Sequence, residues 1–132
     1  MSFGQSKPLV DGTRLAGANL FDKQFHIVKL DSDGDVVLCA AVDDKPYGVL
    51  QNAPRQGEEA AVLLVGVTPV VAGAEIAAIG ATIGTSDTGR AVAKVAGTNT
   101  THYAIGVNLT VAEADGVHIT AAVSCLPPAR AA

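Results

Sequence analysis

The chain is poor in charge and in aromatic rings. Of its 132 residues, 17% are charged and 4% are aromatic, and tryptophan is absent; soluble domains average about 25% charged residues. Alanine and valine supply most of the apolar mass. So little charge leaves few groups to cover the surface of a free monomer, and we therefore expect other subunits to cover part of the exterior.

Clusters of basic residues and long apolar runs are also missing. The nine lysines and arginines are scattered singly and the net charge is -4, so nucleic-acid binding is not expected, because phosphate neutralisation needs clustered cations. Glycine and proline interrupt the apolar stretches, which argues against a membrane span. The first residues lack the apolar core of a signal peptide. We therefore expect synthesis in a cytoplasm, where Cys39 and Cys125 act as small buried hydrophobes.

Motifs for catalysis and metal binding are missing as well. The acidic run at residues 31–35 fails calcium spacing, because Val36 and Val42 stand where an EF-hand loop needs its glycine and its glutamate. We interpret it as a hairpin turn. No zinc-type spacing links the three histidines, His26, His102 and His118. Neither a Gly-x-Ser-x-Gly elbow nor a phosphate-binding loop occurs. We therefore predict no enzymatic activity, no metal and no cofactor.

The chain contains an internal repeat of glycine, turn and apolar residues. The matching pieces are residues 16–20 and 72–76, 32–34 and 86–89, 47–49 and 105–107, and 57–65 and 116–121. The offset between the copies drifts from 56 to 54 to 58 to 59, so only short loop insertions separate them. Such self-similarity marks a repeated supersecondary unit. A unit of about 55 residues rarely buries enough apolar surface alone, so the two copies should share one core.

Strand patterns dominate both copies. Apolar residues alternate over 103–111 and 117–123, on either side of a turn signal at 114–116. Residues 61–67 are apolar without alternation, which is typical of a strand buried on both faces. We predict an all-β fold, a compact β-barrel or sandwich of two pseudo-symmetric halves. The predicted core includes Val49, Val62, Leu64, Ile76, Val92, Ile105, Val107, Leu109, Ile119 and Val123.

The sequence divides into one domain with two extended ends. We assign an N-terminal arm to residues 1–15, a first half to 16–71, a second half to 72–124 and a tail to 125–132. Residues 1–10 lack strand periodicity, so we expect them to be mobile without a partner. Prolines in the tail, Pro127 and Pro128, prevent it from continuing a central strand.

Four segments occur in a characteristic order: YGVLQNAP at residues 47–54, VAGAEI at 71–76, TSDTGRA at 85–91 and IGV at 105–107. This ordered series resembles the small capsid decoration (cement) proteins of tailed bacteriophages, over residues 44–124 and more weakly over 16–43. The family often has Gly-Asp after the Ala-Gly-Ala segment, where this chain has Gly80 and Ala81. The C-terminal tail is not part of the shared pattern.

The resemblance implies a structural virion protein made in the host bacterial cytoplasm and located on the capsid exterior. Such proteins commonly sit as trimers and clamp neighbouring capsomers. The implied partners are therefore the phage major capsid protein and further copies of the chain, in a homotrimer, with no nucleic acid and no membrane. In the arm, Phe3, Lys7 and Pro8 are the candidate capsid contacts.

Alternatives from other classes stay open. Biotinyl and lipoyl carrier domains also consist of two pseudo-symmetric β halves, with a modified lysine at a hairpin tip. Lys94 is the candidate for such a modification, although it falls in a strand pattern and lacks methionine or acidic neighbours. A small ligand-binding β domain is a further alternative, and an enzyme fragment completed by a partner chain is another.

Overall fold

The computed structural model describes residues 7–126 and 129–130, and every regular element within them is a β-strand. The strands are β1 (Lys7–Asp11), β2 (Arg14–Leu15), β3 (Ile27–Leu30), β4 (Val36–Leu38), β5 (Gly48–Leu50), β6 (Glu59–Ala60), β7 (Val62–Val71), β8 (Thr82–Thr85), β9 (Ala91–Ala93), β10 (Tyr103–Ala104), β11 (Gly106–Asn108), β12 (His118–Ser124) and β13 (Ala129–Arg130). The all-β prediction is confirmed.

Most of these strands join one curled antiparallel sheet that forms a half-barrel. Its strand order is β4-β3-β5-β7-β12-β11-β8-β9, and β1 pairs with β7 as well. The central pair of this sheet is β7 and β12. Outward from this pair, the strands on the two sides follow the same pattern of connections along the chain. Strands β7, β5, β3 and β4 of the first half correspond to β12, β11, β8 and β9 of the second. The two halves are therefore related by a pseudo-two-fold operation, as the duplicated sequence predicts.

The backbone hydrogen bonds repeat with the sequence. In the first half the N–H of Gly17 donates to the carbonyl of Val36 at 2.7 Å. In the second half the N–H of Gly73 donates to the carbonyl of Ala91, also at 2.7 Å. The first bond joins the loop after β2 to the start of β4, and the second joins the loop after β7 to the start of β9. The loops are therefore part of the repeated unit and not only connections between strands.

Residues 7–15 belong to the first repeat and are not an arm. In β2, Leu15 pairs with Glu59, just as Val71 pairs with His118 in the second half. β1 pairs with β7 as β7 pairs with β12. Residues 7–11 and 14–15, which the sequence assigns to the arm, are therefore strands, because a strand far along the chain supplies the ladder that local periodicity does not reveal. The mobility expected for residues 1–6 lies outside the described residues.

The turns at residues 31–35 and 86–90 have the same construction. Asp31 Oδ1 accepts the N–H groups of Asp33 and Asp35, each at 2.9 Å. Ser86 Oγ accepts the N–H of Arg90 at 3.2 Å in the second copy. A carboxylate occupied by its own turn in this way shapes the hairpin locally, and the hairpin interpretation of the acidic run is confirmed.

The predicted core is largely correct. Seven of its members are buried: Val49, Val62, Leu64, Ile76, Ile105, Ile119 and Val123. Val92 and Val107 are half-buried, and Leu109 is 42% exposed. β7 is buried along nearly its whole length, as expected for a strand covered on both faces.

Asn108 explains why Leu109 points outward. Its side chain is fully buried, with Nδ2 donating to the carbonyl of Ala78 and Oδ1 accepting from the N–H of Ala81, both at 2.7 Å. β11 ends at this residue, so the alternation that predicted a buried Leu109 stops one position earlier. A buried amide with its hydrogen bonds made is tolerated in a core, and hydrophobic periodicity cannot anticipate it.

The close approach of neighbouring strands requires glycine at the start of β5 and of β11. A Cβ atom at Gly48 would collide with the carbonyl of Leu63, and one at Gly106 with the carbonyl of Ala122. We expect Gly48→Ala and Gly106→Ala each to lower the free energy of unfolding by about 3 kcal/mol, the upper part of the usual range for overpacking. Urea denaturation followed by circular dichroism measures this loss.

Gly97→Ala is the control, because a Cβ there meets nothing within 4 Å and only the φ of +82° opposes it. That substitution should cost about 1 kcal/mol. The account of the paired glycines fails if either strand variant is no less stable than Gly97→Ala.

Candidate functional site

Two clefts occupy equivalent places in the two halves, and the larger one carries two histidines. This histidine cleft has a volume of about 550 Å³ and is lined by Phe21, Asp22, Gln24, Phe25, His26, Ala53, Val71, Arg90, Gly116 and His118. It lies where β7 ends and β12 begins, beside the loop that leads into β3. Aromatic, cationic and titratable side chains therefore converge on one concave surface, which is typical of a binding site.

The loop into β3 holds a strained residue at this cleft. Phe25 has a φ of +64°, the only positive φ of a non-glycine residue in the described part of the chain. Its N–H donates to the carbonyl of Leu50 at 2.7 Å, and its carbonyl accepts from the N–H of Val71 at 3.0 Å. These bonds hold a bulky residue in a conformation that costs about 1–3 kcal/mol, and such strain concentrates at functional sites. The ring meets His118 edge-on, with the centroids 6.1 Å apart.

His26 lies at the base of the cleft with 5% exposure. Its Nδ1 is 3.2 Å from the carbonyl of Gln24 and its Nε2 is 3.4 Å from Nε of Arg90. A carbonyl requires a donor and a guanidinium requires an acceptor, so these neighbours assign the neutral ring with its proton on Nδ1. Burial lowers the pKa of His26; the Gln24 carbonyl acts against this, and the charges of Arg90 and Lys23 add to the lowering.

Arg90 is held in the cleft by contacts that an incoming ligand can replace. Its Nη1 is 2.8 Å from Oδ1 of Asp115, but the Arg90 side chain is 33% exposed and that of Asp115 is 62% exposed. An ion pair in such contact with water contributes only about 0–1 kcal/mol. An anionic group from a partner could therefore take the place of Asp115 on the guanidinium at little cost.

Phe21 stands exposed at the edge of the histidine cleft. Its side chain is 58% accessible, and the guanidinium of Arg55 lies 4.9 Å from the ring centroid. An exposed aromatic ring next to cationic groups is the composition enriched at protein interfaces.

The equivalent cleft of the first half is acidic. It has a volume of about 290 Å³ and is lined by Thr13, Arg14, Leu15, Asp35 and Glu59. Arg14 Nε donates to the carbonyl of Gly34 at 2.9 Å, which ties β2 to the turn before β4. Leu15, 51% exposed, supplies the apolar surface here. We call this surface the acidic cleft.

Sequence reasoning did not identify either cleft, because it searched the histidines for metal spacing. A position-by-position comparison of the two copies contains the missing signal. Arg90 stands where the first copy has Asp35, and His118 stands where it has Glu59. A carboxylate replaced by a guanidinium at one position and by an imidazole at the other, within the same backbone, cannot be explained by the needs of the fold.

The predicted capsid-contact residues lie elsewhere. Lys7 and Pro8 are in β1, opposite Val67 and Gly66 of β7, and Phe3 lies outside the described residues.

Lys94 is not at an exposed hairpin tip. It follows β9 with 6% exposure, and its Nζ lies 2.9 Å from Nδ1 of His102 and 3.4 Å from the carbonyl of Val42. Burial lowers its pKa, which the charge of Asp43 partly offsets. A carrier lysine must reach an external enzyme, so this position does not suit the carrier alternative.

The two cysteines are buried and unpaired, as expected. Burial raises the pKa of each thiol to about 12, with a further contribution from Asp44 at Cys39 and from Cys39 at Cys125. The reactive thiolate is therefore scarce. Among residues 7–126 and 129–130, no group of three or more histidine, cysteine or acidic side chains is placed to hold a metal ion. The same residues include no helix with the length and apolarity to cross a bilayer.

Comparison with known proteins identifies a shared fold. A scan of protein families and a search of curated proteins find no match. Among solved structures, the head fiber gp8.5 N base of bacteriophage phi29 matches with a TM-score of 0.62 and 22% sequence identity. The match covers 87% of this chain and 93% of that chain, so nearly the whole of both folds is equivalent. At this identity the likeness establishes the fold and not the function.

The lowered pKa of His26 makes stability depend on pH. The unfolded histidine binds its proton near pH 6.5, whereas the folded one does so only at lower pH. Its contribution is therefore fully present above about pH 6.5 and is lost as pH falls through the folded pKa. We expect the melting temperature to drop as the pH is lowered from 7.5 to 5. This window lies above the ordinary pKa values of carboxylates, about 3.9 for aspartate and about 4.3 for glutamate.

The variant His26→Gln keeps a hydrogen-bonding side chain and removes the titration. Its melting temperature should change less over the same pH window, and calorimetry on both proteins measures the difference. Identical pH dependence in the two proteins would show that His26 is not the responsible group.

Proposed function

We propose that this protein is a structural component of a phage virion that binds the outer surface of the capsid and stabilises the shell by bridging capsomers. One observation supports this most strongly: the fold matches the base of a phage head fiber over nearly the whole length of both chains. The ordered motifs at residues 47–54, 71–76, 85–91 and 105–107, which resemble capsid decoration proteins, point the same way.

The exposed apolar residues support a role in assembly. Ile79 is 69% exposed and Leu109 is 42% exposed, and the N–H of Gly80 donates to the carbonyl of Asn108, so their two loops adjoin. The equivalent positions of the first half carry Gln24 and Gln51. Since the fold accepts glutamine at these places, the apolar residues of the second half are not needed for folding and fit a contact with another chain.

The mechanism is thermodynamic linkage and not chemistry. A protein that binds the assembled shell and not its separate subunits stabilises the shell by mass action. In the proposed homotrimer, each copy contributes contacts to the major capsid protein, and binding at one copy raises the effective concentration of the others. Many weak contacts would then hold neighbouring capsomers together. Located on the capsid exterior, the protein needs no enzymatic activity or cofactor.

The carrier alternative is less well supported. A carrier would be modified on Lys94, whose Nζ is occupied by His102 and Val42 and is shielded from solvent. An intact mass equal to the unmodified chain in protein from the native source argues against this alternative, whereas an added prosthetic group would establish it.

Binding to capsids tests the proposal directly. Purified protein should cosediment with capsids that lack it, and these capsids should then resist higher temperatures before they release their contents. The double substitution Phe3→Ser and Lys7→Glu should weaken binding by about tenfold or more, because truncating anchors and reversing charges at an interface usually costs 1–3 kcal/mol. The melting temperature of the isolated protein should stay unchanged.

Lys45→Glu is the matched control, since it reverses an exposed lysine outside the N-terminal segment. Its capsid affinity should equal that of the unaltered protein. The proposal is wrong if the protein ignores capsids or if decorated and undecorated capsids are equally robust. Normal binding by the Phe3/Lys7 variant would reject those residues as contacts and leave the virion role standing.

A further inference from the structure

The histidine cleft and the acidic cleft share three equivalent backbone positions that carry different side chains in the two copies. Leu15 pairs with Glu59 at one cleft, and Val71 pairs with His118 at the other. Asp35 accepts from the N–H of Asp31 at 2.9 Å, and Arg90 accepts from the N–H of Ser86 at 2.7 Å, so each of these two residues closes its own copy of the turn. The backbone thus presents both pairs of side chains in equivalent positions.

The charged groups at these positions differ between the two halves: Asp35 is replaced by the guanidinium of Arg90, and the carboxylate of Glu59 by the imidazole of His118. The acidic cleft has two carboxylates, Asp35 and Glu59, against one guanidinium, that of Arg14. The histidine cleft has one guanidinium, that of Arg90, and one carboxylate, that of Asp22, together with two imidazoles, of which His26 is neutral. The neighbouring groups are Asp31 and Asp33 at the acidic cleft, and Lys23 and Asp115 at the histidine cleft.

Each cleft also has one exposed apolar side chain. Leu15 is 51% exposed at the acidic cleft and Phe21 is 58% exposed at the histidine cleft. The acidic cleft therefore combines an apolar anchor with an excess of carboxylates, and the histidine cleft combines one with a guanidinium and two imidazoles that can bind carboxylates. Apolar anchors next to complementary charges are what a specific protein interface requires.

We propose that the histidine cleft of one copy docks on the acidic cleft of a second copy, head to tail. This rests on the self-association in the proposed function and names the surfaces that produce it. In the contact, Asp35 and Glu59 of one copy face Arg90 and His118 of the next. A carboxylate from the second copy takes over the solvent-exposed partner position of Asp115 on Arg90, which is why that ion pair does not block docking.

Head-to-tail docking gives a closed ring when the rotation between successive copies closes, and an open filament when it does not. A two-fold dimer through the acidic cleft would bring carboxylates together, which is unfavourable, and one through the histidine cleft would leave the Asp35 and Glu59 carboxylates without a partner. In a row of copies joined by unlike clefts, the first and last copies each keep one cleft unused. These two clefts can bind each other only when the rotation between successive copies closes the row into a ring. The trimer expected from the sequence is the small ring that fits this rule.

Charge reversal tests the contact, with the mass in solution measured by light scattering during size-exclusion chromatography. The unaltered protein should form a ring whose stability falls as salt increases. The double variant Asp35→Arg/Glu59→His and the double variant Arg90→Asp/His118→Glu should each raise the dissociation constant at least about tenfold and give monomers. The variant with all four substitutions exchanges the charges between the clefts and should form the ring again.

Asp43→Lys/Glu75→Lys is the control, because it reverses two charges at exposed residues outside both clefts, and it should keep the ring. Circular dichroism reports whether each variant is folded, and recovery in the four-substitution variant excludes misfolding as the cause of dissociation. A monomeric unaltered protein, a ring that survives either reversal, or a four-substitution variant that stays folded and monomeric would overturn the proposal. Capsids are absent throughout, so these outcomes are independent of the capsid-binding test.

Discussion

The structure depends on one strand that both halves share. β7 closes the first half by pairing with β5, where Leu63 lies opposite Val49, and opens the second by pairing with β12, where Val70 lies opposite Ile119. β1 pairs with the same strand. With neighbours on both edges and packing on both faces, β7 has its backbone polar groups satisfied by other strands. A break in it would separate the halves and expose both cores together.

The duplication fixes the backbone and leaves the exposed side chains free to diverge. The turns after β3 and after β8 keep the same hydrogen bonds although one uses Asp31 and the other Ser86. The loop into β3 also keeps its backbone: Phe25, with a φ of +64°, stands where the second copy has Gly80, with a φ of +81°, and the N–H of each donates to the carbonyl at the end of β5 or β11. At the two clefts the side chains differ although the backbone does not require it, and this is where a function in recognition would appear.

Short-range patterns in the sequence predict the elements whose partners are close along the chain. They do not predict elements whose hydrogen-bonding partners are distant. The repeat, the hairpin at residues 31–35 and the buried strand β7 follow from short-range patterns of glycine, turn residues and valine. The first strand of the repeat was missed because its ladder comes from β7, and Leu109 was placed in the core because the amide of Asn108 interrupts the alternation. The clefts required a comparison between the copies, since neither has a motif of its own.

Pseudo-symmetry and opposite charge together explain how a duplicated chain can form a directed assembly. Two identical halves would present identical surfaces, and like surfaces associate only through two-fold contacts. Replacing Asp35 and Glu59 by Arg90 and His118 in the second copy makes the surfaces unlike while the backbone keeps them in equivalent positions. In the proposed ring both clefts are then used between subunits, which leaves the apolar residues Ile79 and Leu109 and the N-terminal segment for the shell. Each ring would present three copies of that surface, so its affinity for an assembled lattice would far exceed its affinity for a free capsid subunit.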